Sequence, residues 1–393
     1  MNKVKGIKMK VMHIISDLSI NGAQKALYNL LIGGLADNFN NIIVCLLNKG
    51  LYGFLIQNLN IPVEEIRIKK SMLKLQNLIQ FQSIIKKYQP DLIQGWMYHG
   101  NLAANIAGYI IRKSKPIVVW NVRHSLYSLT NEKFLTKLII KISKWFSYKV
   151  DTIIYNSQVS RRQHESFGFS KKFSLIIPNG FDTNIFRPDL NQKKIMRKQL
   201  GIPEKALVVG HVARFHPMKD HFNFLKAAVK VIQNFNRNKV YFLLIGRGVT
   251  IQNPVFSKNI PNELINRFYL MGERDDIPKL MQTMDIFCLS SKWGEGFPNV
   301  VGEAMASGIP CVVTDVGDCA YIVGDTGIIV PPSNSEALAQ GLLKMLNKSE
   351  EERKALGKAA RIRIKNYFSL EKVVKTYEKL YINLISKKYR FCL

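Results

Sequence analysis

Two α/β domains in tandem, each a parallel sheet wound on both faces by helices, are predicted by three observations on this chain. Short apolar runs alternate with stretches of helical spacing, the alternation restarts after a turn-rich segment near the middle, and glycines and charged residues gather just after the apolar runs. Strands that alternate with helices imply parallel pairing with both faces of the sheet covered. The 393 residues exceed one ordinary core and suit two domains of about 180 to 200 residues each.

In the first half, strands are expected at 10–16, 42–46, 91–94, 116–122, 152–155 and 175–178. Asn21-Gly22-Ala23-Gln24 turns the chain from the first of these into an amphipathic helix over 25–36, and helical spacing over 73–88 ends at Pro90. Pro178-Asn179-Gly180-Phe181-Asp182, followed by Arg187-Pro188, marks a boundary. The pattern then begins again, with strands at 207–212, 240–245, 268–271, 286–289, 311–314 and 327–330, and a long closing helix from 369. The expected organisation is therefore a Rossmann-like domain over 1–182, a second over 183–368 facing it across a cleft, and a segment over 369–393 that packs back on the first.

Lys and Arg number 57 against 28 Asp and Glu, a net charge of +29. Up to Gly180 there are 25 basic and 8 acidic residues, and beyond it 32 and 20. Such a balance calls for an acidic partner: a phosphorylated substrate, anionic lipid or nucleic acid. Five cysteines (Cys45, Cys288, Cys311, Cys319 and Cys392) form no C-x-x-C pair, which speaks against a disulfide framework or zinc site and suits a reducing cytosol. The apolar run at 11–15 stops at Ser16-Asp17, too short for a signal sequence, and no run is long enough to span a bilayer. Neither G-x-G-x-x-G nor G-x4-G-K-[ST] occurs, so dinucleotide binding and P-loop hydrolysis have no support.

Candidate site residues lie where open α/β sheets bind ligands, just after strands. Arg214 and Lys219 follow the strand at 207–212, two cations that can neutralise a diphosphate as charge builds on it. Gly246 and the Gly272-Glu273-Arg274 segment follow the next two strands and leave room for a nucleoside, with backbone near Arg274 for a base edge. Glu295 and Glu303 flank Phe297-Pro298-Asn299-Val300-Val301, in which Pro298 suits a first helical position. The N–H groups of such a helix start can hold a phosphate while carboxylates accept from hydroxyls. A phosphate beside hydroxyls describes a nucleotide sugar. In the first half, Gly22 allows close approach to backbone N–H groups, and His99 and His124 follow strands and can face a sugar or an oxyanion. No Asp-x-Asp occurs, so no metal site is expected and Arg214, Lys219 and the helix start would take a metal's place.

Taken in order, Asn21-Gly22-Ala23-Gln24, Asn156-Ser157, Ile177-Pro178-Asn179-Gly180, Ala213-Arg214-Phe215 with Lys219-Asp220, the segment 285–291, and Glu295-Gly296-Phe297-Pro298 through Glu303-Ala304-Met305-Ala306 resemble the group 1 (family 4) retaining glycosyltransferases of the GT-B fold. The resemblance implies an acceptor-binding first domain and a nucleotide-sugar-binding second one. It gives Arg214 and Lys219 to the diphosphate, Glu303 to the ribose hydroxyls, Glu295 and the N–H groups of 297–301 to the donor sugar, Gly22 to the phosphates and His124 to the transferred sugar, with His99 on the acceptor side. It further implies a metal-independent transfer of a hexosyl group, with retention, from a nucleotide-diphosphate sugar, most simply a UDP-sugar, to a saccharide or lipid-linked acceptor. No cofactor is implied, and cell-surface polysaccharide or lipopolysaccharide synthesis is the setting. The departure from the family is Asn21-Gly22-Ala23-Gln24, where Gly-Gly-Ala-Glu is common.

Residues 131–146 place Lys133, Lys137, Lys141 and Lys144 on one helical stripe, with Leu135, Leu138, Ile139, Ile142 and Phe146 turned away from it. With Lys69-Lys70 and Lys86-Lys87 this suggests a cytoplasmic protein held peripherally on the inner face of the cell membrane by anionic lipid. Two other classes compete with the transferase: a sugar-nucleotide epimerase of similar architecture, and a basic nucleic-acid-binding protein. The second lacks aromatic residues interleaved with Arg and Lys, so nucleic acid is not an expected partner.

Overall fold

The computed structural model describes residues 8–19, 22–68, 74–111, 115–129, 134–235 and 240–390. They form two compact units: residues 1–180 together with 370–393, and residues 181–369.

The first unit is built on strands β1 (Lys10–Ile15), β2 (Asn40–Cys45), β3 (Val63–Glu65), β4 (Leu92–Trp96), β5 (Ile117–Val122), β6 (Thr152–Tyr155) and β7 (Ser174–Ile176), in the order 3-2-1-4-5-6-7. Every pair is parallel. The strands β4, β5 and β6 are buried along their whole length, as two covered faces demand. The strand β3 was not expected, and its Val-Glu-Glu sequence explains why. It lies at the sheet edge, where Glu64 bonds Lys87 and Tyr88 while Glu65 accepts from the Lys49 amide and pairs with Arg67. The helix after β1 begins at Gly22 rather than Lys25 and continues to Leu30. Asn21 lies outside the described residues, as do Lys69, Lys70 and Lys133.

The closing helix Leu370–Arg390 belongs to this first unit. It sits so close to the turn at Gly33 that a Cβ there would come within 2.9 Å of Leu370. Tyr377 and Tyr381 are fully buried, and their hydroxyls reach the sheet: Asn121 donates to Tyr377 Oη at 2.8 Å, and Tyr381 donates to Gln94 at 2.7 Å. These two bonds satisfy the Asn121 amide nitrogen and the Gln94 amide oxygen, leaving the other end of each amide without a partner among the described residues.

In the helix Phe134–Phe146, Ile140 and Ser143 face the protein, whereas Phe134, Leu135, Leu138, Ile142 and Trp145 are exposed alongside Lys141. Of the apolar residues set apart from the lysine stripe, Leu135, Leu138 and Ile142 therefore lie on the solvent side.

The second unit carries β8 (Leu207–Val212), β9 (Val240–Ile245), β10 (Phe268–Leu270), β11 (Ile286–Leu289), β12 (Cys311–Thr314) and β13 (Ile328–Val330), in the order 10-9-8-11-12-13, again all parallel. Asp285, just before β11, holds its lower edge. It pairs with Arg197 and Lys193, each at 2.6 Å, and accepts from the Val208 amide at 2.8 Å. Arg197 is buried and also bonds the carbonyls of Thr283 and Ala206.

Removing Asp285 would leave the Arg197 charge buried without a counter-ion. Asp285→Ala is therefore expected to destabilise the second unit by roughly 3 kcal/mol, read as an earlier transition in chemical denaturation. Three buried histidines supply a pH dependence: His13, His164 and His221 each have a pKa pushed down to about 4, burial being the largest cause. A depressed histidine pKa means that the unfolded chain binds the proton first, so stability is intact above the ordinary value of about 6.5 and falls as pH drops from there towards 4. Each should contribute on the order of 3 kcal/mol to that loss, and the denaturation midpoint should begin to fall near pH 6.5, before most carboxylates titrate.

Candidate functional site

In the second unit the candidate residues emerge from the carboxyl edge of the sheet, where strands end and helices have yet to begin. After β8 the chain runs through exposed Arg214 into a short turn, Pro217–Lys219, capped by His216 Nδ1, which accepts from the Met218 amide at 3.2 Å. Asp220 then takes a left-handed conformation (φ 49°), uncommon for a residue with a side chain. The Lys219 ammonium meets Glu295 Oε1 at 2.5 Å, and Ser291 Oγ donates to the same oxygen at 2.6 Å. Glu295 is only 7% exposed, so this is a desolvated ion pair.

Its supports are layered. Ser290 Oγ donates to the Lys219 carbonyl at 2.8 Å, and His211 Nε2 bonds Ser290 Oγ at 3.1 Å. The Lys292 amide donates to the Met218 carbonyl at 2.9 Å. The loops after β8 and β11 are therefore fastened to each other through backbone and buried side chains. Burial keeps His211 neutral, aided by neighbouring His221 and Lys219, and His216 is likewise pushed down by burial and then by Arg214 and Lys219.

Gly246, directly after β9, has no room for a side chain, because a Cβ would fall 2.0 Å from the Ala213 carbonyl oxygen. Its amide donates to the Gly272 carbonyl at 2.7 Å, and the Phe215 amide donates to the Arg247 carbonyl at 2.8 Å. Three successive loops are thereby stacked with glycine at the contact. Arg274, two residues past Gly272, is held bidentate by Asp276 at 2.8 and 2.7 Å, so its guanidinium is already engaged.

The next helix runs Asn299–Ala306, and Pro298 precedes it as the capping residue (ψ 112°) instead of occupying its first position. Phe297 and Val301 send their side chains into the core, Phe297 against Phe181 and Phe368. Pro298 has no N–H, and Asn299 and Val300 are half-buried. Glu303, one turn inside, is 5% exposed.

In the first unit, Gly22 opens the helix after β1, and a Cβ there would meet nothing within 4 Å. Gln24, one turn in, is buried and donates to the Asp17 carbonyl at 3.1 Å and to its carboxylate at 3.3 Å, while the Ser19 amide also donates to Asp17 at 3.0 Å. An amide therefore stands where a carboxylate would have faced Asp17. His99 is exposed in the first turn of the helix Met97–Ile110, yet enough of it is enclosed to lower its pKa by burial. Met97, directly after β4, is left-handed with φ 61°.

His124 is half-buried two residues past β5. Its carbonyl accepts from Ser160 Oγ at 2.6 Å, and its ring lies edge-on to Tyr98 with centroids 6.2 Å apart. Tyr98 Oη bonds His164 Nε2 at 2.7 Å, and His164 Nδ1 bonds the Ser160 carbonyl at 2.7 Å. Sequence reasoning passed over Ser290, Ser291 and His211, although the two serines stand immediately after the apolar run 286–289, the position that singled out the others.

Gln24→Glu should place two carboxylates in one buried turn. A raised carboxyl pKa in the folded state means that the penalty is present above that pKa and disappears as pH falls below the ordinary value of about 4.3. The expected outcome is a variant destabilised at pH 7 by roughly 1 to 3 kcal/mol that approaches the parent near pH 4, read from denaturation curves at the two pH values.

Comparison with known proteins adds to this geometry. The family model described as "Glycosyl transferases group 1" matches residues 192–363, and "Glycosyltransferase Family 4" matches residues 20–185. A UDP-Gal:alpha-D-GlcNAc-diphosphoundecaprenol alpha-1,3-galactosyltransferase of Escherichia coli is 27% identical over 323 residues, covering 80% of this chain and 81% of that protein. The N-acetyl-alpha-D-glucosaminyl L-malate synthase of Bacillus anthracis is 30% identical over 205 residues, 51% of each chain. Among solved structures, Anabaena HepE in complex with UDP superposes with a TM-score of 0.80 at 21% identity, over 95% of this chain and 100% of that one. Sucrose-phosphate synthase of Thermosynechococcus elongatus gives 0.75 at 18% identity, over 97% and 100%. With two Rossmann-like domains of seven and six parallel strands, each matched by a family model, the chain belongs to the group 1 glycosyltransferases of the GT-B fold.

Proposed function

We propose that this glycosyltransferase moves a hexosyl group from a UDP-sugar to a lipid-linked saccharide, with retention of anomeric configuration and without a metal ion, at the cytoplasmic face of the membrane. The product would serve cell-surface polysaccharide or lipopolysaccharide assembly. The observation that carries this reading is the buried Lys219–Glu295–Ser291 cluster beside Arg214 at the carboxyl edge of the second sheet. The donor and acceptor classes draw support from the Escherichia coli relative, whose name gives UDP-galactose and a diphosphoundecaprenol-linked sugar, and from HepE, whose complex holds UDP.

In this reading Arg214 and Lys219 bind the diphosphate, with the N–H groups of Phe297, Asn299, Val300 and Val301. Glu303 accepts from the ribose hydroxyls, while Gly246 and the backbone near Arg274 border the nucleoside. Both contacts to Glu295 fall on Oε1, so Oε2 is the oxygen that takes a donor-sugar hydroxyl. By the resemblance, His124 is assigned to the transferred sugar and His99 to the acceptor side.

The acceptor hydroxyl approaches the anomeric carbon from the side the diphosphate leaves. Its proton passes to the departing phosphate oxygen, so no enzyme nucleophile is needed. Rate enhancement then comes from fixed positive charge where negative charge develops. Lys219 suits that task because its backbone and its ammonium are both tied down before donor arrives.

Arg214→Ala and Lys219→Ala are each expected to lower turnover about a hundredfold or more, measured as transfer of labelled sugar from a panel of UDP- and GDP-hexoses to undecaprenyl-diphosphate-linked acceptors. Normal transfer by both variants would sink the assignment. A panel in which no donor is even slowly hydrolysed would sink the hexosyl reading itself.

A further inference from the structure

The solvent face of the helix Phe134–Phe146 has the wrong chemistry for water. Phe134 and Trp145 are 79% and 77% exposed, and Leu135, Leu138 and Ile142 stand exposed between them. At helical spacing these five apolar side chains fall within about a third of the circumference. Lys137, Lys141 and Lys144 border that sector on one side. Between Phe134 and Lys149 there are four lysines and no acidic residue.

The apolar surface continues past this helix. Tyr148 is 67% exposed just beyond it, and Ile106 and Tyr109, on the helix Met97–Ile110, are also exposed. Those two residues, with Phe146 and Lys86, line a shallow open groove of about 930 Å³. Buried Ile140 and Ser143 fasten the helix from beneath, so the exposed side chains are not needed for its packing.

We infer that this face is a membrane-docking surface. The helix lies parallel to an anionic bilayer, its five apolar side chains enter the headgroup and acyl boundary, and Lys137, Lys141, Lys144 and Lys149 meet lipid phosphates. Charge selects the occupant. An apolar stripe edged by lysines, with no acid among them, matches a surface that is apolar within and negative at its rim. A second copy of this chain would bring the same four lysines against these and suffer like-charge repulsion. The lysines therefore act as a border to the contact, and the apolar side chains provide the contact itself. The surface gives structural content to the membrane-side action proposed above, and its test reads vesicle binding, so that each can fail without the other.

The full-length protein is sedimented with vesicles of phosphatidylcholine alone or mixed with phosphatidylglycerol. The parent should bind the mixed vesicles and not the neutral ones. Leu138→Glu/Ile142→Glu, at exposed positions, should reduce binding roughly tenfold or more, while Leu190→Glu, at a still more exposed leucine of the second unit, should leave it unchanged. Lys141→Ala/Lys149→Ala should weaken binding and flatten its salt dependence. No binding by the parent, or binding that survives Leu138→Glu/Ile142→Glu, overturns the inference. So does light scattering that reveals a dimer of the parent that the glutamate variant abolishes. Slow UDP-sugar hydrolysis, followed without vesicles, should be the same in parent and variant, and its absence from both would count against the proposed donor and not against this surface.

Discussion

Burial of both sheet faces is the constraint on which the rest of this structure depends. Parallel strands need crossover helices, and helices on both sides leave strands such as β4, β5, β11 and β12 without a solvent-facing residue. Polar chemistry has then one place to go, the loops at the carboxyl edge. Several polar side chains that remain inside are paired: His13 accepts from Trp96 Nε1 at 3.2 Å and bonds Asn41 at 3.0 Å, and the Gln94 carbonyl oxygen is met by a tyrosine of the closing helix. The closing helix thus does for the first sheet what Arg197 and Asp285 do for the second.

The same constraint accounts for the rigidity of the candidate site. A buried ion pair gains little net stability, since desolvation consumes most of its Coulombic attraction. Lys219 and Glu295 make sense as a preorganised pair rather than as a stabilising one: each charge holds the other where water cannot. Fixing Lys219 through its carbonyl to Ser290, and Ser290 to His211, removes reorganisation that would otherwise accompany a developing negative charge. Among the left-handed residues, Met97 directly follows β4 and Asp220 leads into the helix His221–Asn234, positions where backbone strain is tolerated because the surrounding elements determine the path.

Much of the fold was legible because strand burial writes itself into composition. Runs such as 152–155, 207–212, 240–245 and 286–289 are apolar but for Thr152 and His211, and the strands observed there match them residue for residue. The edge strand Val63–Glu65 was not legible, since an edge needs neither apolar residues nor length. At the candidate site, charge and position after a strand singled out Arg214, Lys219, Glu295 and Glu303. Ser290 and Ser291 share that position but carry no charge, and a neutral hydroxyl after a strand looks like any loop residue until its partner is seen. Gln24 was legible as a departure, but its reason, the carboxylate of Asp17, required the turn to be folded.

The helix Phe134–Phe146 marks the deeper limit of periodicity. A 3.6-residue pattern separates charged from apolar positions, yet it does not say which side faces the protein. The usual assumption is that the wider apolar side does. Here the space beneath the helix admits Ile140 and Ser143, both fully buried, and a contact that includes a serine is too small for Phe134 or Trp145. Shape decided the orientation: the side chains that fit closest to the sheet are the smaller ones, and the larger apolar sector was turned outward with its lysines at the rim. An exposed stripe of that size costs free energy in water, and it persists economically only where something other than water covers it.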